Sequence, residues 1–102
     1  MSEVQACLHL VCASPSRSTA LQHCLSMLLP GDAVLLLDDG VNALLDGLPA
    51  SLLEAPIELA CLTADLEARG IMNHGADCRA QLLDDDGFVE LVERYPLSQT
   101  WT

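Results

Sequence analysis

The residues of this chain best suited to chemistry are its five cysteines, Cys7, Cys12, Cys24, Cys61 and Cys78. A thiolate is both a nucleophile and a metal ligand. Their odd number argues against a complete disulfide framework, and in a reducing compartment all five would be free thiols. Because free cysteine is also among the most buried residue types, packing is the ordinary role of such residues.

Three of the possible ligands suggest a metal site, since Cys7, His9 and Cys12 are close in sequence. On the strand predicted over residues 7–12, however, Cys7 and His9 point to one face and Cys12 to the other. The chain also lacks a CxxC pair and two histidines at helical spacing, the usual ligand patterns of zinc sites. We therefore expect no metal here, and packing roles for Cys7 and Cys12.

An acidic turn follows the most hydrophobic segment. Residues 33–37 are all apolar, as in a strand buried on both faces of a parallel sheet, and Asp38, Asp39 and Gly40 come directly after them. The carboxyl ends of such strands usually carry the functional site in α/β folds. A helix N-cap formed by Asp39, with Gly40 easing the turn, is a sufficient structural explanation of this pair.

Strand and helix patterns alternate along the chain. Strands are predicted over residues 7–12, 33–37, 57–62, 80–83 and 98–102. One helix is predicted to start at Ser14–Pro15, and Asp39, Thr63 and Asp85 are the predicted N-caps of three others. Another helical turn is predicted in 48–55, and 71–77 is the least structured loop. This alternation predicts one α/β domain over residues 1–102, a three-layer α/β/α sandwich with a mostly parallel sheet of about five strands. The pattern leaves the strand order open.

Composition excludes several functions. The chain has 102 residues, 51% of them hydrophobic, and its 15 acidic residues against four arginines give a net charge of -11. Such a surface disfavours nucleic acids and anionic membranes. No apolar run approaches the ~20 residues of a membrane span, and the first five residues lack the basic region of a signal peptide, so a cytoplasmic protein is expected. The absence of GxGxxG, Walker and GxSxG motifs weighs against nucleotide-binding and hydrolase functions.

Several short motifs, taken together, resemble the DsrH/TusB family. They are Leu8-His9, Ser14-Pro15, Leu37-Asp38-Asp39-Gly40-Val41, Asp65-Leu66-Glu67-Ala68-Arg69-Gly70, Asp86-Gly87-Phe88-Val89-Glu90-Leu91-Val92, Tyr95-Pro96 and Gln99-Thr100-Trp101. Their order and spacing carry the resemblance, which covers essentially the whole chain.

The resemblance implies a subunit of a sulfur-relay heterohexamer with DsrE/TusD-like and DsrF/TusC-like partners. Such a complex passes persulfide sulfur between cytoplasmic proteins, needs no cofactor or metal, and hands the sulfur to a downstream carrier protein. In TusB-like members the sulfur reaches 2-thiouridine at the tRNA wobble position, and the tRNA is contacted only by a later enzyme. In DsrH-like members the relay serves the oxidation of stored sulfur.

The resemblance also makes Cys24 the candidate persulfide carrier. DsrH-like proteins have a cysteine in the first helix, and Cys24 stands seven residues before Gly31, as that cysteine does in the family. Many TusB-like proteins lack it. Packing is the alternative role, because Cys24 lies on the apolar stripe of its helix with Arg17 as the only obvious counter-charge. The chain is then either a sulfur-carrying subunit or a non-catalytic structural one.

Overall fold

The structure, a computed structural model, describes residues 5–76 and 78–102. These residues form one five-stranded sheet, with β1 (Cys7–Val11), β2 (Ala33–Leu36), β3 (Glu58–Leu62), β4 (Gln81–Leu83) and β5 (Leu97–Trp101). Every neighbouring pair is parallel, and the order across the sheet is β4-β3-β2-β1-β5. The predicted α/β fold is confirmed.

Helices lie on both faces of the sheet. They are α1 (Ala20–Met27), a 3₁₀ helix (Asp38–Leu44), α2 (Ala50–Leu53), α3 (Thr63–Ala68), α4 (Met72–Ala76) and α5 (Asp85–Arg94). On one face of the sheet lie the helices that connect β1 to β4, and their side chains, among them Cys24, Val41 and Leu66, pack against the strands. The second face packs Leu91 of α5. The sheet is thus the middle of three layers, and the connection through α5 brings β5 back beside β1.

The predicted start of the first helix at Ser14–Pro15 is wrong, because α1 begins only at Ala20. The residues before it form turns in which serine hydroxyls bind local groups. Ser14 Oγ lies 3.0 Å from Ser16 Oγ, and Ser18 Oγ accepts the Ala20 N–H at 3.0 Å. Such local bonds offer the backbone an alternative to the helix. Arg17 therefore lies in a turn and not on the face of α1.

Most of the loop predicted over residues 71–77 is helix α4, because Ile71 is buried and a Cβ on Gly75 would lie 2.6 Å from Leu66 Cδ1, which shows that the segment packs on α3. Asp77, the last residue of that predicted loop, and residues 1–4 lie outside the described residues.

The predicted N-caps Thr63 and Asp85 are both one residue too late. Thr63 is the first residue of α3, and Leu62 precedes it without a side-chain cap bond. The N-cap of α5 is Asp84, since Asp84 Oδ1 accepts the Gly87 N–H at 2.8 Å.

Candidate functional site

Cys24 lies between α1 and the sheet. The buried residues of α1 are Ala20, Leu21 and Cys24, the stripe expected from helical spacing, and Cys24 is 0% exposed. The side chain belongs to the larger of the two hydrophobic clusters. In this conformation no partner protein can reach the Cys24 sulfur.

The surroundings of Cys24 also oppose its ionisation. Burial raises the pKa of the Cys24 thiol to about 12, and the neighbouring Cys7 and Asp32 act in the same direction. The expected counter-charge is not in place, because Arg17 precedes the helix. Since the thiolate is the form that attacks a persulfide, burial and the raised pKa both disfavour attack by Cys24 while α1 packs on the sheet.

A groove of about 310 Å³ lies beside this region, over the β1–β5 side of the sheet. Its walls combine apolar and polar side chains, which are Gln5, Cys7, His9, Met27, Leu29, Asp32, Leu97, Gln99 and Trp101. The half-buried Cys7 is the cysteine that lines it. Burial, and then Asp32, raise the pKa of the Cys7 thiol, so this groove does not favour a thiolate.

A buried polar chain underlies the groove. Trp101 Nε1 donates to His9 Nδ1 at 3.1 Å, and His9 Nε2 lies 3.0 Å from Asp32 Oδ2. Because the indole nitrogen can only donate, His9 Nδ1 must accept, and the ring proton on Nε2 is donated to Asp32. The His9 and Trp101 rings are stacked, with centroids 6.1 Å apart. Trp101 thereby fixes the tautomer of a histidine that is 4% exposed.

Asp32 joins three parts of the chain. Besides the bond from His9, it accepts the Cys7 N–H at the start of β1 and the Leu29 N–H after α1, each at 3.0 Å. Burial alone would raise the pKa of this carboxyl, but the hydrogen bonds from Cys7, His9 and Leu29 outweigh it and hold the pKa below its usual 3.8. Asp32 is therefore an ionised, fully bonded carboxylate that fixes the amino end of the sheet.

Sequence reasoning missed this polar chain. The sequence pattern makes His9 a possible metal ligand and part of a family motif, and it gives Asp32 no role. The signal in the sequence is a histidine inside an apolar strand together with an aspartate directly before a buried strand. Because buried polar side chains need hydrogen-bond partners, each of these residues predicts a polar partner nearby. Among the residues that the structure describes, no group of three His, Cys, Asp or Glu side chains is arranged to hold a metal ion.

The remaining cysteines lie in three different places. Burial raises the pKa of the Cys61 thiol in β3 to about 12, with a further contribution from Cys78. Burial, then Asp38 and Asp65, raise the pKa of Cys12. Cys78 is half-buried, lines an apolar cavity of about 500 Å³, and its Sγ accepts the Ala80 N–H at 3.1 Å. The five thiols therefore do not converge on one centre.

The acidic turn after β2 is held by α3. The Asp38 N–H donates to Asp65 Oδ2 at 2.8 Å, and Asp39 Oδ1 pairs with the Arg69 guanidinium at 2.9 Å. The expected N-cap role of Asp39 is wrong, because the 3₁₀ helix begins at Asp38 and has no side-chain cap. Asp38 itself adopts a φ of 49°. The carboxylates are thus used in joining β2 to α3.

The lengths and hydropathy of the helices can be compared with those of membrane-spanning helices. Within residues 5–76 and 78–102, none of the helices is long and apolar enough to cross a membrane.

Comparison with known proteins gives one family. The family model described as "DsrH like protein" matches residues 13–97. Proteins named "Protein TusB" are similar over most of their length: that of Erwinia tasmaniensis is 43% identical over 92% of this chain and 99% of its own, and that of Escherichia coli is 39% identical over 76% and 82%.

A solved structure supports the fold. The solution NMR structure of protein Tm0979 from Thermotoga maritima superimposes with a TM-score of 0.65, covering 86% of this chain and 92% of its own. At 23% sequence identity, this likeness bears on the fold alone.

Proposed function

The chain belongs to the family of DsrH-like proteins, and on that premise we propose that it is a subunit of a sulfur-relay complex that passes persulfide sulfur between proteins in the cytoplasm. The observation that carries this proposal is the 43% identity to a TusB protein over 92% of the chain. Its partners are DsrE/TusD-like and DsrF/TusC-like subunits, two copies of each subunit forming a heterohexamer, with a further carrier protein downstream.

Within that complex the chain acts as a structural subunit. The geometry of Cys24 supports this role, because its sulfur is buried and its pKa is raised to about 12. A relay step needs a thiolate that attacks the terminal sulfur of a donor persulfide, becomes a persulfide, and releases the donor thiolate. The alternative role is that of a sulfur-carrying subunit. It would require α1 to move away from the sheet so that the Cys24 sulfur becomes accessible.

The sulfur serves the 2-thiolation of the tRNA wobble uridine. The TusB name of the relatives supports this branch over the oxidation of stored sulfur. The net charge of -11 supports delivery through a carrier, because a chain this acidic repels the tRNA backbone.

Deletion of the gene for this chain tests the proposal in its own cells. We expect wobble 2-thiouridine, measured by mass spectrometry of digested tRNA, to be lost and then restored by the wild-type chain. Cys24→Ala should restore it as well if the subunit is structural. Unchanged 2-thiouridine together with a defect in sulfur oxidation would instead favour the second branch.

A further inference from the structure

Within the part of the chain that the structure describes, the outer edge of β5 is unpaired. Among the described residues β5 pairs with β1 alone, and the Trp101 carbonyl points inward, where it accepts the Cys12 N–H at 3.0 Å. Because neighbouring residues of a strand direct their N–H and C=O groups to opposite edges, those of Leu97 and Gln99 also point inward. Ser98 and Thr100 therefore present two N–H and two C=O groups outward.

Two of the usual protections against strand pairing, charged residues and proline, are missing from β5 itself. Its five residues include no charge and no proline, although the chain as a whole carries a net charge of -11. The opposite edge strand, β4, has only three residues. An uncharged, exposed edge on an acidic protein is a surface that can pair without bringing carboxylates together.

Apolar side chains extend the same surface on one face of the sheet. Met27, Leu29 and Leu97 are 60%, 50% and 49% exposed, and all three line the groove that also contains Trp101. A neighbouring strand would cover them together with the edge. Exposed apolar side chains grouped in this way are typical of interaction sites.

We propose that this edge pairs with the same edge of a second copy of the chain, antiparallel, about a two-fold axis at Gln99. Ser98 of each copy then faces Thr100 of the other, and the pair exchanges both backbone hydrogen bonds, so that all the outward groups are used. Leu97 faces Trp101 on the side of the groove, and Gln99 faces Gln99. The sequence of β5 reads in matching chemical classes from either end: apolar, hydroxyl, amide, hydroxyl, apolar.

That self-matching pattern argues for a second copy over a different partner. A two-fold contact places one surface against itself, so each position must suit its mirror position. Leu97 with Trp101 is an apolar cross-strand pair, and Ser98 with Thr100 is a hydroxyl pair, both of which stabilise antiparallel strands. The result is a continuous ten-stranded sheet across two chains. This inference does not depend on the sulfur-relay function.

Sedimentation of the full chain over a concentration series tests the proposal. We expect a dimer, and we expect Gln99→Lys to weaken self-association by up to about fivefold, because it sets two ammonium groups opposite each other at the axis. The change makes the protein less acidic, so general charge repulsion between copies falls and cannot explain a loss of the dimer. Gln81→Lys, the same change on the exposed edge of β4, should leave the dimer intact.

Cross-linking gives an independent measurement. Gln99→Cys should form an intermolecular disulfide through position 99 under mild oxidation, identified by peptide mapping, whereas Gln81→Cys should not. A full chain that stays monomeric at every concentration would overturn the proposal. A dimer that is insensitive to Gln99→Lys would also overturn it. The same holds if Gln99→Lys blocks only the binding of a DsrE- or DsrF-like subunit, because the edge would then pair with that subunit and not with a second copy.

Discussion

At the scale of single residues, the Asp32 carboxylate accepts hydrogen bonds from three separate parts of the chain, at Cys7, His9 and Leu29. Asp32→Asn places an amide N–H₂ where carboxylate oxygens accept, so at least one buried donor loses its partner. We expect the free energy of unfolding to fall by about 3 kcal/mol. Urea titration measures it, with the exposed Asp46→Asn as the control that should change little.

The same carboxylate predicts a pH dependence. The pKa of Asp32 is lowered from 3.8 in the folded state. The contribution of this carboxylate to the free energy of unfolding is therefore fully present above the unfolded pKa, and it is lost as the pH falls through the folded pKa. We expect the stability difference between wild type and Asp32→Asn to shrink as the pH drops below about 4. A stability difference that stays constant as the pH falls well below about 4 would contradict the ionised, hydrogen-bonded state of Asp32.

For Cys24, the structural role predicts that stability and sulfur transfer respond separately. Cys24→Ser buries a hydroxyl in an apolar site and should cost about 1–3 kcal/mol, seen in a thermal melt, with sulfur transfer by the assembled complex unchanged. The carrier role would be supported instead by one extra sulfur on the wild-type Cys24 peptide after incubation with a persulfide donor. That adduct should then be absent from the serine variant.

The sequence predicted the burial of Cys24 but not the chain of bonds around Asp32. Helical spacing is local, so the apolar stripe of α1 can be read directly. The bonds from His9 to Asp32 and from Trp101 to His9 join residues 23 and 92 positions apart. Which polar groups meet over such separations depends on the strand order, which the pattern leaves open.

At the scale of elements, the segment after β2 depends on close contact with the end of β1. A Cβ on Gly40 would lie 2.0 Å from the Val11 carbonyl oxygen, a distance that no relaxation of side chains can relieve. We expect Gly40→Ala to lower stability by about 1–3 kcal/mol, because the backbone of the 3₁₀ helix must shift. Asn42→Ala in the same segment is the control in a urea titration, and equal losses in both variants would contradict this explanation.

Element prediction succeeded where the signal was a run or stripe of apolar residues. All five strands were predicted within one or two residues of their observed bounds, because β2 and its neighbours are nearly continuous apolar runs. The start of α1 was missed because serine side chains bind the backbone ahead of it. Helix α4 was missed because it is five residues long and is stabilised by packing on α3 rather than by its own pattern.

At the scale of the whole molecule, charge decides which partners the chain can meet directly. With a net charge of -11 and no lysine, the isolated chain should not retain tRNA in filter binding at low salt, where phosphate contacts are strongest. Retention at micromolar protein would contradict delivery through a carrier.

Sulfur transfer by the reconstituted complex tests the central claim most directly. The full chain would be co-purified with its DsrE- and DsrF-like partners, and the passage of labelled persulfide sulfur to the downstream carrier would be timed with and without this chain. The account predicts that the three proteins form one assembly and that transfer needs this chain but not the Cys24 sulfur, so Cys24→Ala supports the wild-type rate. A chain that remains apart from both partners, or transfer that proceeds equally well without it, would contradict the account.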